Sequence, residues 1–72
     1  MKPKFGDVLI RGDVNGGYEV VDAVTHKRLS KVHASTLDTA LVVARLQGGR
    51  IWQQAVDHRG RALSDPVLLQ PT

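Results

Sequence analysis

The chain of 72 residues contains no cysteine, and this absence excludes disulfide bonds, thiolate-ligated zinc and a thiol nucleophile. Its longest apolar run, Ala40–Ala44, is far shorter than the roughly 20 residues that a membrane-spanning helix requires. The basic N-terminus leads directly into Phe5-Gly6-Asp7 without the apolar stretch of a signal peptide. We therefore expect a cytoplasmic location and no membrane partner.

Composition and length indicate one small globular domain. Apolar residues make up 42% of the chain and charged residues 24%, a balance that disordered chains lack. We predict a single domain over residues 1–72, with an ordered core at about 5–64 and an extended C-terminal segment at 65–72. A core of this size supplies roughly 3–5 kcal/mol of stability unless the chain is cross-linked or oligomeric. Because cysteine is absent, we expect oligomerisation to strengthen the fold.

One helix is predicted in the middle of the chain, over residues 36–47. Ser35 precedes Asp38 by three residues, which is a variant of the capping box, and an acidic residue suits the positive end of the helix dipole. Gly48 and Gly49 follow the segment. They predict its end, because glycine readily takes the left-handed conformation of a helix C-cap.

Short β-rich runs separated by turn residues predict the remaining structure. The runs cover residues 7–11, 18–24, 28–33, 50–56 and, more briefly, 62–64. Their order predicts the α+β class: a three- to five-stranded, mainly antiparallel sheet with one α-helix packed on one face, arranged β-β-β-α-β-(β). Loops 12–17 and 58–60 then lie at one end of the sheet, and loop 25–27 lies at the other. The expected core comprises Val8, Ile10, Tyr18, Val20, Leu29, Leu37, Leu41, Ala44 and either Ile51 or Trp52.

The predicted helix carries two apolar stripes at about 100° per residue. The stripe expected to face the sheet contains Leu37, Ala40, Leu41 and Ala44. The second lies on the opposite side, around Thr39, and contains Val42, Val43 and Leu46. A surface helix over a single sheet needs only one stripe, so the second must be covered by the C-terminal segment 66–69 or by a partner molecule. We therefore predict that this second stripe forms an interface with a second copy of the chain or another protein. Its residues are Thr39, Val42, Val43 and Leu46.

Four short motifs are spread along most of the chain. They are Gly16-Gly17-Tyr18-x-Val20, Ser30-x-Val32, Ala40-x-x-x-Ala44-Arg45 and Gly60-Arg61. Over roughly residues 16–65 the pattern resembles a family of small uncharacterised bacterial domains with a strand-strand-helix-strand plan. That family usually has Trp in place of Tyr18, and an Asp-Gly-Arg turn, whereas Asp57 here is separated from Gly60 by two residues. The resemblance implies a fold and no particular activity.

No arrangement of reactive side chains matches a catalytic or metal-binding motif. His26, His33 and His58 are separated by 7 and 25 positions, which fits no compact metal-binding spacing. Ser30 and Ser64 lack a nucleophile elbow, and the glycine-rich loop at 12–17 lacks the Lys-Ser/Thr of a phosphate-binding loop. We expect no enzyme activity, no metal, no cofactor and no small-molecule substrate.

Basic residues support an alternative function. Residues 26–33 contain Lys27, Arg28 and Lys31 without any acid, the later turn adds Arg59 and Arg61, and the formal net charge is +3. Such side chains can neutralise phosphates, although a basic edge strand can also serve only to prevent aggregation. We predict a non-enzymatic binding module that self-associates or binds a protein through the outer helix face. Nucleic-acid binding through these five basic residues is the alternative.

Overall fold

The computed structural model describes residues 2–31 and 33–70. In this part the elements are β1 Val8–Gly12, β2 Tyr18–Asp22, α1 Leu37–Arg45, β3 Ile51–Gln54 and β4 Val67–Gln70. The four strands form one sheet in the order β2-β1-β3-β4. The β1–β2 and β3–β4 pairs are antiparallel, whereas β1 and β3 are parallel. The predicted α+β class, with a mainly antiparallel sheet and one helix, is confirmed.

The strand predicted at residues 28–33 is replaced by a bridged segment along the edge of β2. Isolated bridges join Val21 to Arg28 and Tyr18 to Ala34, and the Leu29 N–H donates to the Val20 carbonyl at 3.0 Å. Between the bridges the segment advances six positions while β2 advances three. The segment therefore arches away from β2 and cannot keep a continuous ladder. Val32, which the sequence placed in this strand, lies outside the described residues.

The last strand forms later in the chain than predicted. Residues 62–64 contribute only the isolated bridge between Val56 and Ala62. β4 instead lies within the C-terminal segment that the sequence predicted to be extended, and it pairs with the outer edge of β3. It begins directly after Pro66, a residue that cannot donate to a ladder and therefore suits the position before a strand.

The two central strands are buried on both faces of the sheet. Val8, Ile10 and Ile51 belong to the cluster on the helix side, while Leu9 and Trp52 belong to a cluster on the opposite face. The sequence left Ile51 and Trp52 as alternatives, and both are buried, at 1% and 2% exposure. The unbroken apolar run in β1 is typical of a strand covered on both sides.

Two small residues let α1 lie close to the sheet. Ala40 and Ala44 are fully buried, and α1 contacts β1 and β2. Val20 completes the predicted buried positions on this side, and Tyr18, Leu37 and Leu41 are half-buried against the same cluster. Leu29 was wrongly assigned to the core, because the arched segment leaves it 37% exposed.

The loops lie at the sheet ends that the sequence predicted. A Cβ at Gly60 would lie 3.1 Å from Val14 Cγ1, so the turn at 57–61 meets the loop at 13–17. The turn after β2 lies at the other end, where Asp22 and Val8 are paired in register. These two ends carry different sets of basic side chains.

Candidate functional site

The outer face of α1 presents apolar side chains to solvent. Val42 is 55% exposed, and Leu46 at the C-cap is 80% exposed. Thr39 is exposed as well. Val43 was wrongly assigned to this face. It follows the buried Ala40 by three positions and is half-buried against the cluster on the helix side of the sheet. We call Thr39, Val42 and Leu46 the outer stripe.

The ends of α1 carry opposite charges. The helix begins after Thr36, whose side chain accepts a hydrogen bond from the Thr39 N–H at 3.2 Å, so the N-cap is Thr36 and not Ser35 as predicted. Asp38 lies in the first turn and Arg45 in the last turn. This arrangement complements the helix dipole, and it gives the outer surface of α1 an acidic end and a basic end.

The C-terminal segment occupies a place away from the outer stripe. β4 pairs with β3, and Leu68 packs against the cluster on the sheet face opposite α1. As far as Gln70, therefore, the described chain does not supply the cover that the sequence considered for this stripe. Residues 71 and 72 lie outside the described residues.

The predicted basic residues divide between the two ends of the molecule. Lys27 and Arg28 adjoin the turn after β2, where the Asp22 N–H donates to the Lys27 carbonyl at 2.8 Å. Lys31 is exposed on the arched segment. Arg59 and Arg61 are exposed on the turn at 57–61, at the other end. The fold therefore does not gather these five residues into one surface.

Three aspartates hold the turns together. The Asp22 carboxylate accepts the N–H groups of Val24 and Thr25 at 2.9 Å each, and these hydrogen bonds lower the pKa of Asp22. Asp13 accepts the N–H of Asn15 at 2.9 Å. Asp57 accepts N–H groups from within its own turn at 2.8 and 2.9 Å. Three of the seven acidic residues in the chain therefore stabilise turns through hydrogen bonds to backbone N–H groups.

An ion pair between a buried carboxylate and a half-buried arginine, which the sequence did not predict, joins β1 to β3. Asp7 is 6% exposed and sits directly before β1, whereas Arg50 sits directly before β3. The Arg50 Nη2 donates to Asp7 Oδ2 at 2.7 Å, and Trp52 Nε1 donates to the same oxygen at 3.0 Å. The Arg50 guanidinium also lies 5.3 Å from the centre of the Trp52 ring, within the range of a cation–π contact.

These contacts set the ionisation of Asp7. Hydrogen bonding from Arg50 lowers the pKa of Asp7 most, and the Lys4 N–H and the Trp52 indole add to this effect. Burial acts in the opposite direction, yet the resulting pKa is about 2 instead of the ordinary 3.8. The carboxylate is therefore ionised and fully engaged at neutral pH. This arrangement stabilises the fold.

The three histidines are exposed and lie apart along the chain. His26 has a φ of 62° in the turn after β2, and His58 lies in the turn at 57–61. The Nδ1 of His33 is 3.9 Å from Asp13 Oδ2. Within residues 2–31 and 33–70, no three His, Asp or Glu side chains form a group that could hold a metal ion. In the same part of the chain, no helix is long and apolar enough to cross a bilayer.

A polar cleft lies at the sheet end where β1 and β3 finish. Its volume is about 430 Å³. It is lined by Gly12, Gly17, Tyr18, Ser35, Gln53, Gln54, Ala55 and Val56. This cleft could not be predicted from the sequence, because its residues come from four separate segments. The parallel pairing of β1 with β3 and the bridge between Tyr18 and Ala34 bring them together.

Comparison with protein-family models, with curated proteins and with solved structures finds no match to this chain. The resemblance to a family of small bacterial domains therefore stays a prediction.

Proposed function

We propose that this protein is a small non-enzymatic binding module that associates with a second copy of itself through the outer stripe of α1. The observation that carries the proposal is the exposure of Val42 and Leu46, at 55% and 80%, although the C-terminal strand packs elsewhere. Apolar side chains grouped on one helix face favour a partner surface. The predicted cytoplasmic location is part of the same proposal.

The charges on α1 favour a second copy as the partner. Two helices related by a two-fold axis near Val42 run antiparallel, so the first turn of each lies against the last turn of the other. Asp38 of one copy then approaches Arg45 of the other, and the same pair recurs on the far side of the axis. Opposite charges meet at both ends of the contact, which is the electrostatic match expected of a specific interface.

The size of α1 indicates a weak dimer. Nine residues at about 1.5 Å per residue give a helix of about 13 Å. A standard interface buries about 800 Å² of solvent-accessible surface on each partner. That area is roughly one sixth of the 4749 Å² accessible surface of this chain. The outer stripe provides only part of such an area. We therefore expect a dissociation constant in the micromolar range, typical of small interfaces.

A substitution at Val42 tests the proposal by sedimentation velocity at about 5–500 µM protein, a range that brackets micromolar affinity. The wild type is expected to shift from monomer to dimer as concentration rises, whereas Val42→Asp stays monomeric with an unchanged circular-dichroism spectrum. Val24→Asp is the matched control, because Val24 is similarly exposed at 51% but lies in the turn after β2. A Val42→Asp variant that dimerises like the wild type would contradict the proposal, as would a wild type that is monomeric throughout.

A further inference from the structure

The cleft at the ends of β1 and β3 contains polar side chains with unused hydrogen-bonding capacity. Within the part of the chain that the structure describes, the side chains of Tyr18, Ser35 and Gln53 form no hydrogen bond. Gln54 follows Trp52 on the opposite face of β3, where its Nε2 donates to the Ser64 carbonyl at 2.9 Å, so Gln53 is the carboxamide on the Tyr18 side of the cleft. Hydroxyls and carboxamides both donate and accept, so the lining can satisfy a ligand that presents both kinds of group.

The shape of the cleft is maintained by two glycines. A Cβ on Gly17 would lie 2.5 Å from the Ala34 carbonyl oxygen, and one on Gly12 would lie 3.0 Å from Val56 Cγ2. Larger residues there would displace the walls that the arched segment and the segment after β3 contribute. The volume of about 430 Å³ lies within the range of about 300–1,000 Å³ found for small-molecule sites.

The lining of the cleft is uncharged, and the turn beside it carries two arginines. None of the lining residues is ionisable at neutral pH, and the turn that follows Val56 carries Arg59 and Arg61, both exposed. Asp57, the acid in that turn, accepts the backbone N–H groups of both arginines. A neutral hydrogen-bonding cleft therefore adjoins a turn that carries two exposed arginines and one aspartate.

We propose that this cleft binds a nucleotide, with the base in the cleft and the phosphate toward Arg59 and Arg61. Glutamine carboxamides match the donor and acceptor edges of nucleobases, adenine above all, and an aromatic ring such as Tyr18 offers a stacking surface. Guanidinium groups bind phosphate oxygens through paired hydrogen bonds. The nucleotide is either a free mononucleotide or one residue of a single strand. This inference is independent of self-association, since it involves no residue of the outer stripe.

The test is a titration of ¹⁵N-labelled protein with adenosine 5′-monophosphate, monitored by NMR. Saturable shifts are expected at Gly12, Gly17 and Gln53, with a dissociation constant below about 1 mM, the scale of a modest small-ligand site. Gln53→Leu is expected to weaken binding by about tenfold, as the loss of one paired hydrogen bond would. Inorganic phosphate alone is expected to leave the cleft residues unshifted. Absence of saturable binding by both the mononucleotide and a single-stranded oligodeoxyadenylate would overturn the proposal.

A charge-matched pair of variants tests the orientation of the nucleotide. Arg59→Glu combined with Arg61→Glu is expected to weaken binding at least tenfold, whereas Lys27→Glu combined with Arg28→Glu, at the other end of the molecule, is expected to leave it unchanged. Equal losses in the two double variants would overturn the proposal, because they would indicate attraction by net charge alone. If the oligodeoxyadenylate binds more tightly than adenosine 5′-monophosphate, the natural ligand is a single strand. If the two bind equally, the natural ligand is the free nucleotide. The same titration on Val42→Asp separates this result from dimerisation.

Discussion

The buried carboxylate of Asp7 predicts how the stability of this protein depends on pH. Its pKa falls from 3.8 to about 2 in the folded state. A carboxyl group with a lowered folded-state pKa stabilises the fold above its ordinary pKa, and this contribution is lost as the pH falls through the folded-state value. The lowering corresponds to about 2.5 kcal/mol of unfolding free energy, present at neutral pH and lost between about pH 5 and pH 1.

Asp7→Asn removes the charge while keeping the size of the side chain. At pH 7 we expect the unfolding free energy to fall by about 2.5 kcal/mol, since the ionised carboxylate that the folded state stabilises is no longer present. The difference from the wild type should shrink as the pH falls toward about 2, because the wild-type carboxyl becomes protonated there. Urea unfolding followed by circular dichroism at several pH values measures both quantities.

Two comparisons isolate the contribution of Asp7. Asp65→Asn changes an exposed carboxylate and should keep the wild-type pH dependence. Asp22, whose pKa is also lowered, is present in every variant and cancels in the difference. Parallel loss of stability in the wild type and Asp7→Asn between pH 7 and pH 2 would refute the reasoning. If Asp7→Asn does not fold, an NMR titration of Asp7 in the wild type decides the matter, and a pKa at or above 3.8 would refute it.

Two further substitutions test local features of the fold by urea unfolding. Thr36→Ala should cost about 1 kcal/mol because it removes the N-cap of α1, whereas Ser35→Ala should cost much less; the reverse order would restore the sequence-based assignment of the cap. Gly49→Ala should cost about 3 kcal/mol, because its Cβ would collide with the Gly6 carbonyl oxygen. Gly48→Ala, which meets open space at a φ of +82°, should cost only about 1 kcal/mol, and equal costs would contradict the close approach.

The parts of the fold that depend on local patterns were predictable from the sequence. The helix and the strands around residues 8–12 and 51–54 follow from periodicity and from turn residues, although the helix ends at Arg45, two residues before the predicted Gln47. The burial of Leu9 was missed, because the apolar run in β1 was interpreted as covering one face only. Cover on the second face comes from Leu68 and other distant segments, which no local pattern encodes.

The long-range pairings could not be predicted for the same reason. Asp7 and Trp52 are 45 positions apart, and only the parallel neighbours β1 and β3 bring them within hydrogen-bonding distance. The polar cleft depends on the same pairing. The two apolar stripes on the helix were visible in the sequence, but whether the C-terminal segment covers the second depended on where β4 pairs.

A single cysteine at position 42 tests the central claim most directly. The chain has no native cysteine, so Val42→Cys reports only on its own surroundings. A disulfide needs a separation of about 4.4–6.8 Å between the Cα atoms of its two cysteines. If Val42 lies at a two-fold contact between antiparallel helices, the Cα atoms at position 42 of the two copies lie within that range. Mild oxidation should then convert Val42→Cys rapidly to a covalent dimer at concentrations where Val24→Cys stays monomeric. Equal rates of cross-linking in the two variants would contradict the account.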